Sequence, residues 1–118
     1  MPGTLGDVYF NLRSTALGDW SVVHVTGEID LATAPRFRTE LSAAARSTKR
    51  LALDLSGCDL IDSVGIGVLL GAARVLRDRS GEFVVVVSPR VRTLFERCRV
   101  DEILDLVDDL AALSDAAR

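Results

Sequence analysis

The chain has 118 residues and a mass of 12.7 kDa, with 48% hydrophobic and 26% charged residues, which suits one domain, residues 1–118, able to fill a core. A net charge of -3 and a pI near 5.1 argue against a nucleic-acid binder, whose affinity would come from Lys and Arg on phosphate. One histidine, His24, and two cysteines, Cys58 and Cys98, leave little for a zinc site, a disulfide scaffold or a His-based catalytic dyad, so no metal, no cofactor and no enzymatic activity are expected.

The first strand is predicted where Val8, Phe10 and Leu12 alternate with Tyr9, Asn11 and Arg13. Leu17-Gly18-Asp19 reads as a turn into a second strand from Trp20 to Ile29, and so as an antiparallel hairpin. In that strand Val23 and Val25 face the core, Trp20 packs, and His24 faces solvent with no second base or metal ligand nearby. The period then lengthens. Thr33 is a helix N-cap, Pro35 fits a first turn, and Phe37, Leu41, Ala44 and Ala45 follow at helical spacing.

Leu51, Leu53 and Leu55 form a third strand, followed by a predicted loop over Ser56–Asp62. Ser63 is read as the cap of a long helix with Val68, Leu69, Ala72, Val75 and Leu76 as its apolar stripe and Gly81 as its terminator. Phe83 to Val87 is a continuous apolar run, the mark of a strand buried on both faces. Ser88-Pro89 opens a helix striped with Val91, Leu94, Phe95 and Cys98. A short strand near Ile103–Val107 and a last helix carrying Leu110 and Leu113 end the chain. The order β-β-α-β-α-β-α-β-α predicts a small α/β domain: a mixed sheet of about five strands with helices mainly on one face.

The informative segment is Ser56–Gly67. Asp59 and Asp62 precede the helix start, and Gly65 and Gly67 lie in its first turns at about 1 kcal/mol each relative to alanine. Close approach of another part of the chain is the expected compensation. Ile61 is either a staple beside the cap or an apolar residue exposed for a partner. Ser63 is either a structural cap or a regulatory phosphoserine. Free N–H groups at a helix start favour a phosphate, while Asp59 and Asp62 oppose it.

Several further residues carry weaker signals. Cys58 and Cys98 are either a redox pair or two unpaired thiols, with Cys98 a small core residue. Arg90, Arg92, Arg97 and Arg99 form either a solvated face or a docking patch for an acidic partner. Asp101-Glu102 and Asp108-Asp109 read as surface turns or helix starts. A phosphate-receiving aspartate domain would need an acidic pair after its first strand and a late lysine. Arg13-Ser14 ends that strand instead, and the only lysine, Lys49, comes before the third. A phosphocarrier on Cys58 remains an alternative. Met1-Pro2-Gly3-Thr4 does not open a secretory signal, and no apolar run approaches the roughly 18 residues of a membrane span. A cytoplasmic protein is expected.

Gly27-Glu28-Ile29-Asp30, Thr33-Ala34-Pro35, Asp54-Leu55-Ser56, the block from Ile61 to Leu69 and Ser88-Pro89 with Arg92, Leu94 and Phe95 together resemble the bacterial anti-sigma factor antagonists. Those are single-domain STAS proteins of sporulation and stress response. The resemblance implies a STAS-like fold and phosphorylation of Ser63 by an anti-sigma factor that is also a serine kinase of the ATPase fold. It implies that the unphosphorylated form binds that factor and frees a sigma factor, and that a serine phosphatase restores binding. It implies a partner surface of Asp30, Thr33, Ile61, Asp62, Ser63, Val64 and Gly65, with no direct contact to nucleic acid or membrane. Family members often carry Ser or Thr where this chain has Val64, which leaves Ser63 the only hydroxyl in the block. A non-phosphorylated STAS scaffold or transporter-associated module is the alternative.

Overall fold

A computed structural model of the chain describes residues 10–116. Val8, Tyr9 and the Met1–Thr4 terminus lie outside the described residues. Five strands form one sheet in the order β1-β2-β3-β4-β5: β1 (Phe10–Leu17), β2 (Trp20–Ile29), β3 (Arg50–Ile61), β4 (Glu82–Val86) and β5 (Asp105–Val107). The β1–β2 hairpin is antiparallel and turns at Gly18, whose φ of 59° suits glycine. The other three pairings are parallel. Among the described residues, four α-helices alternate with the strands: α1 (Ala34–Ser47), α2 (Ser63–Asp78), α3 (Pro89–Arg97) and α4 (Ala111–Ala116). The predicted order of elements is the observed one.

Period-2 alternation divides the sheet into two faces. Val23, Val25, Leu51, Leu53, Leu55 and Val85 meet the stripes of α1, α2 and α3 in the main core. Trp20, Val22 and Ala52 point the other way and are covered by Leu113, with Leu17, Val84 and Leu110 packed beside them. Among the described residues the helices therefore lie mainly on one face, and α4 covers the other.

The structure corrects four local expectations. The predicted loop after Leu55 is strand. β3 continues to Ile61 because two register shifts against β2, after His24 and after Gly27, absorb extra residues and break the alternation that marks a strand. The helix before Gly81 ends at Asp78, and Ser80 (φ 58°) takes the left-handed position. Gly81 donates to the Leu76 carbonyl, and a Cβ there would lie 2.7 Å from the Lys49 carbonyl oxygen. Cys98 is exposed rather than core. The chain turns left-handed at Arg99 (φ 61°), so the buried stripe stops at Phe95 and resumes with Val100. The last strand is confined to Asp105–Val107, leaving Ile103 exposed.

His24 is not a solvent-facing residue either. Register pairs it with Asp54, and its Nδ1 lies 2.8 Å from Asp54 Oδ2 while Nε2 lies 2.7 Å from Thr15 Oγ1. With the proton on Nδ1, the ring donates to Asp54 and accepts from Thr15. Ser56 donates to Asp54 Oδ1 through its hydroxyl at 2.6 Å and its amide at 3.0 Å. Burial alone raises the Asp54 pKa, but the hydrogen bonds from Ser56 and His24 outweigh it and hold the carboxyl below its ordinary value of 3.8. This network ties β1, β2 and β3 together across the face opposite α1–α3.

A folded-state pKa below the unfolded one means the ionised Asp54 stabilises the fold above pH 3.8, and that contribution disappears as pH falls through the depressed folded value. Asp54→Asn should cost about 1–3 kcal/mol at pH 7. Urea unfolding should also show the variant losing less stability than the parent on acidification. An equal loss in both proteins would exclude the linkage.

Candidate functional site

Ile29 ends β2, Ile61 ends β3, and the two are register partners. Each is followed by an aspartate, Asp30 and Asp62, and the Asp62 amide donates to the Ile29 carbonyl at 3.1 Å. Two helix-opening segments therefore leave adjacent parallel strands side by side. The carboxyl ends of parallel strands are where open α/β sheets present their sites.

Both aspartates are held by the chain that follows them. Asp62, rather than Ser63, is the N-cap of α2: its Oδ1 accepts from the Val64 and Gly65 amides, each at 3.1 Å. Asp30 Oδ1 accepts from the Ala32 amide at 2.9 Å and the Thr33 amide at 3.1 Å. Thr33 occupies the cap position of α1, but its hydroxyl makes no capping bond. It donates to the Glu28 carbonyl at 2.9 Å and accepts from the Asp30 amide at 2.9 Å, which fastens the turn to β2.

Ser63 is thereby displaced to the first residue of α2. It is exposed, and its hydroxyl makes no hydrogen bond among the described residues. The Val64 and Gly65 amides already serve Asp62, so a phosphate on Ser63 would find less of the expected help from first-turn N–H groups. None of Asp30, Asp59 and Asp62 is in a salt bridge among the described residues. Three carboxylates without an ion pair thus lie around one free hydroxyl at this end of the sheet.

The predicted partner surface separates into two layers. Asp30, Thr33, Asp62, Ser63 and Val64 are exposed or half-buried. Ile61, 1% exposed, and Gly65 are buried beneath them, so the alternative of an exposed Ile61 is overturned. A Cβ on Gly65 would meet Ile29 Cγ2 and Ile61 Cγ1, both at 2.7 Å. The first turn of α2 rests directly on those two side chains. Gly67 has nothing within 4 Å of an added Cβ, so only one of the two glycines answers to close approach.

Two leucines of this region escaped the sequence reading. Leu31 is 76% exposed in the turn after Asp30, and Leu60 is 47% exposed beside Asp59. An apolar residue inside a turn matches no buried period, and that mismatch was the available signal. Cys58 is buried in the main core and free, and its Sγ donates to the Leu60 carbonyl at 3.2 Å. Burial pushes its thiol up to about 11, which removes the thiolate that a redox pair or a phosphocarrier needs. Among the described residues no group of three or more His, Cys, Asp or Glu can hold a metal ion, and no helix is long and apolar enough to cross a membrane.

The STAS domain profile matches residues 11–113. An anti-sigma-B factor antagonist of Listeria monocytogenes is 35% identical over 86 residues, which is 71% of this chain and 75% of that protein. An anti-sigma F factor antagonist of Paenibacillus polymyxa is 29% identical over 91 residues, covering 75% and 78%. The crystal structure of an anti-sigma factor antagonist from Mycobacterium paratuberculosis superposes with a TM-score of 0.82 at 31% identity, covering 92% of this chain and 94% of that one.

The packing under Ser63 makes the two glycines opposite in sign. Gly65→Ala should lose about 1–3 kcal/mol in denaturant unfolding by overpacking. Gly67→Ala should gain up to about 1 kcal/mol from helix propensity. Stabilisation by both substitutions would refute the contact of α2 with Ile29 and Ile61.

Proposed function

Because this chain belongs to the STAS domain family, we propose that it is an anti-sigma factor antagonist, a binding protein rather than an enzyme. Its unphosphorylated form engages a kinase-type anti-sigma factor of the ATPase fold in the cytoplasm and so releases a sigma factor. Ser63 is the phospho-acceptor. A serine phosphatase returns the protein to its binding form.

The observation that carries this reading is the exposed, unbonded Ser63 hydroxyl on a fixed first turn between two aspartates. Neither Asp30 nor Asp62 hydrogen-bonds the Ser63 hydroxyl, each being turned by its Oδ1 into its own turn, so this chain supplies no positioned base for Ser63. The phosphoryl-transfer machinery therefore has to come from the partner, and this chain contributes a positioned hydroxyl.

The effect of the modification follows from electrostatics. A phosphate adds about -1.5 to -2 charges beside carboxylates that have no ion pair among the described residues. With the Val64 and Gly65 amides already taken by Asp62, it projects outward, against whatever the partner places there. Asp62 is the residue before Ser63, and its amide bonds the Ile29 carbonyl beside Asp30, so the added charge falls next to theirs. The fold does not have to change. Leu31 and Val64 supply the apolar part of the same surface.

Incubation with the cognate anti-sigma factor and ATP should place phosphate on Ser63, read by mass spectrometry. Ser63→Ala should bind without being modified. Ser63→Asp should bind at least about tenfold more weakly, as expected when like charges meet in an interface. Phosphate found elsewhere, with Ser63→Asp binding as tightly as the parent, would overturn the assignment.

A further inference from the structure

Next to Ser63, the end of β3 and the outer side of α3 enclose an open groove. It is lined by the apolar side chains of Leu60, Val91 and Leu94 and by the charged Arg90, Arg97 and Asp59. Arg90, Leu94 and Arg97 are spaced i, i+4, i+7 and so form one stripe along α3, with the two guanidinium-bearing residues about 10 Å apart along the axis. The other arginines of this region are engaged: Arg92 with Asp108 at 2.9 Å and Arg99 with Glu102 at 3.2 Å. Arg90 and Arg97 make no ion pair among the described residues. A cation–leucine–cation stripe thus faces the half-exposed Leu60.

We propose that this groove receives an acidic amphipathic segment of the same protein that engages Ser63. The segment places an apolar side chain over Leu60 and Leu94 and carboxylates about seven residues apart against Arg90 and Arg97. This inference rests on the reading of the Ser63 end as a partner surface. Two observations favour that occupant. Charge complementarity selects acidic residues, because two of the three charged side chains lining the groove, Arg90 and Arg97, are cations without an ion pair among the described residues, against the single carboxylate of Asp59. The groove is also continuous with the Ser63 surface, since Asp59 and Leu60 belong to the strand end that runs through Ile61 and Asp62 into Ser63. A second copy inserting its exposed Ile103 would be a head-to-tail contact that does not close on itself, with the neighbouring Glu102 already drawn to Arg99.

The test is an NMR titration of the full chain with a designed helical peptide carrying two leucines between glutamates seven residues apart, and with the same peptide bearing lysines for glutamates. Amide shifts should cluster at Leu60, Val91 and Leu94 with the acidic peptide and be absent with the basic one. The double variant Arg90→Glu, Arg97→Glu should keep a native spectrum and bind the acidic peptide at least tenfold more weakly. Shifts elsewhere or none, equal binding of the two peptides, or unchanged affinity of the double variant would overturn the proposal. So would concentration-dependent shifts at the same residues without peptide, which would identify a second copy. With the anti-sigma factor itself, the double variant should also bind about tenfold more weakly. Undiminished binding, where Ser63→Asp abolishes it, would overturn the groove and leave the Ser63 reading standing. If the parent bound no anti-sigma factor, the Ser63 reading would fall, and the peptide titration would still decide the groove.

Discussion

The pairing of Ile29 with Ile61 at the carboxyl ends of β2 and β3 is the contact on which the rest of this surface depends. Both side chains are buried, and Gly65 of α2 rests on both. The main-chain bond from the Asp62 amide to the Ile29 carbonyl fixes the height of one strand end against the other. Two helices then start side by side from two Ile-Asp steps. The position of the Ser63 hydroxyl follows from this packing, because no side chain holds that hydroxyl directly.

The same arrangement distributes charge. A carboxylate that caps a helix satisfies amides that would otherwise lack partners, a contribution of about 1 kcal/mol for each cap. Asp62 performs this role for α2, and Asp30 does so for the turn into α1. Both carboxyl groups are only half-buried, and neither is in a salt bridge among the described residues. Structural caps thereby also set the local field around Ser63. Farther along the same end, Arg90 and Arg97 give the groove under Leu60 the opposite sign. A partner that covers both regions meets a negative zone and a positive one in fixed order.

Local signals made much of the fold legible. Alternation in β1 and β2, the apolar run of β4 and the 3.6-residue stripes of α1 and α2 are properties of neighbouring residues. The Ser88-Pro89 start of α3 is as well, and Ser88 Oγ does accept from the Val91 amide at 3.3 Å. Where the reading failed, the deciding partner was distant in sequence. The end of β3 looked like a loop because register shifts against β2 break its alternation. His24 looked exposed because its partner Asp54 is thirty positions away. Cys98 looked buried because a periodic stripe does not reveal that the chain turns left-handed at Arg99.

The site divides in the same way. Sequence alone determined that an Asp-Ser step opens a glycine-containing helix after a strand, which picked out Ser63, and the resemblance brought Asp30 to it. Only the tertiary structure decided that Asp62 is the cap and Ser63 the free hydroxyl, that Ile61 and Gly65 lie beneath the surface, and that Leu31 and Leu60 lie on it. It also decided which arginines of α3 remain unpaired. The physical reason is that capping and period are settled within a few residues of chain. Exposure and charge pairing depend on strand register and helix docking, and these bring together residues that no local pattern connects.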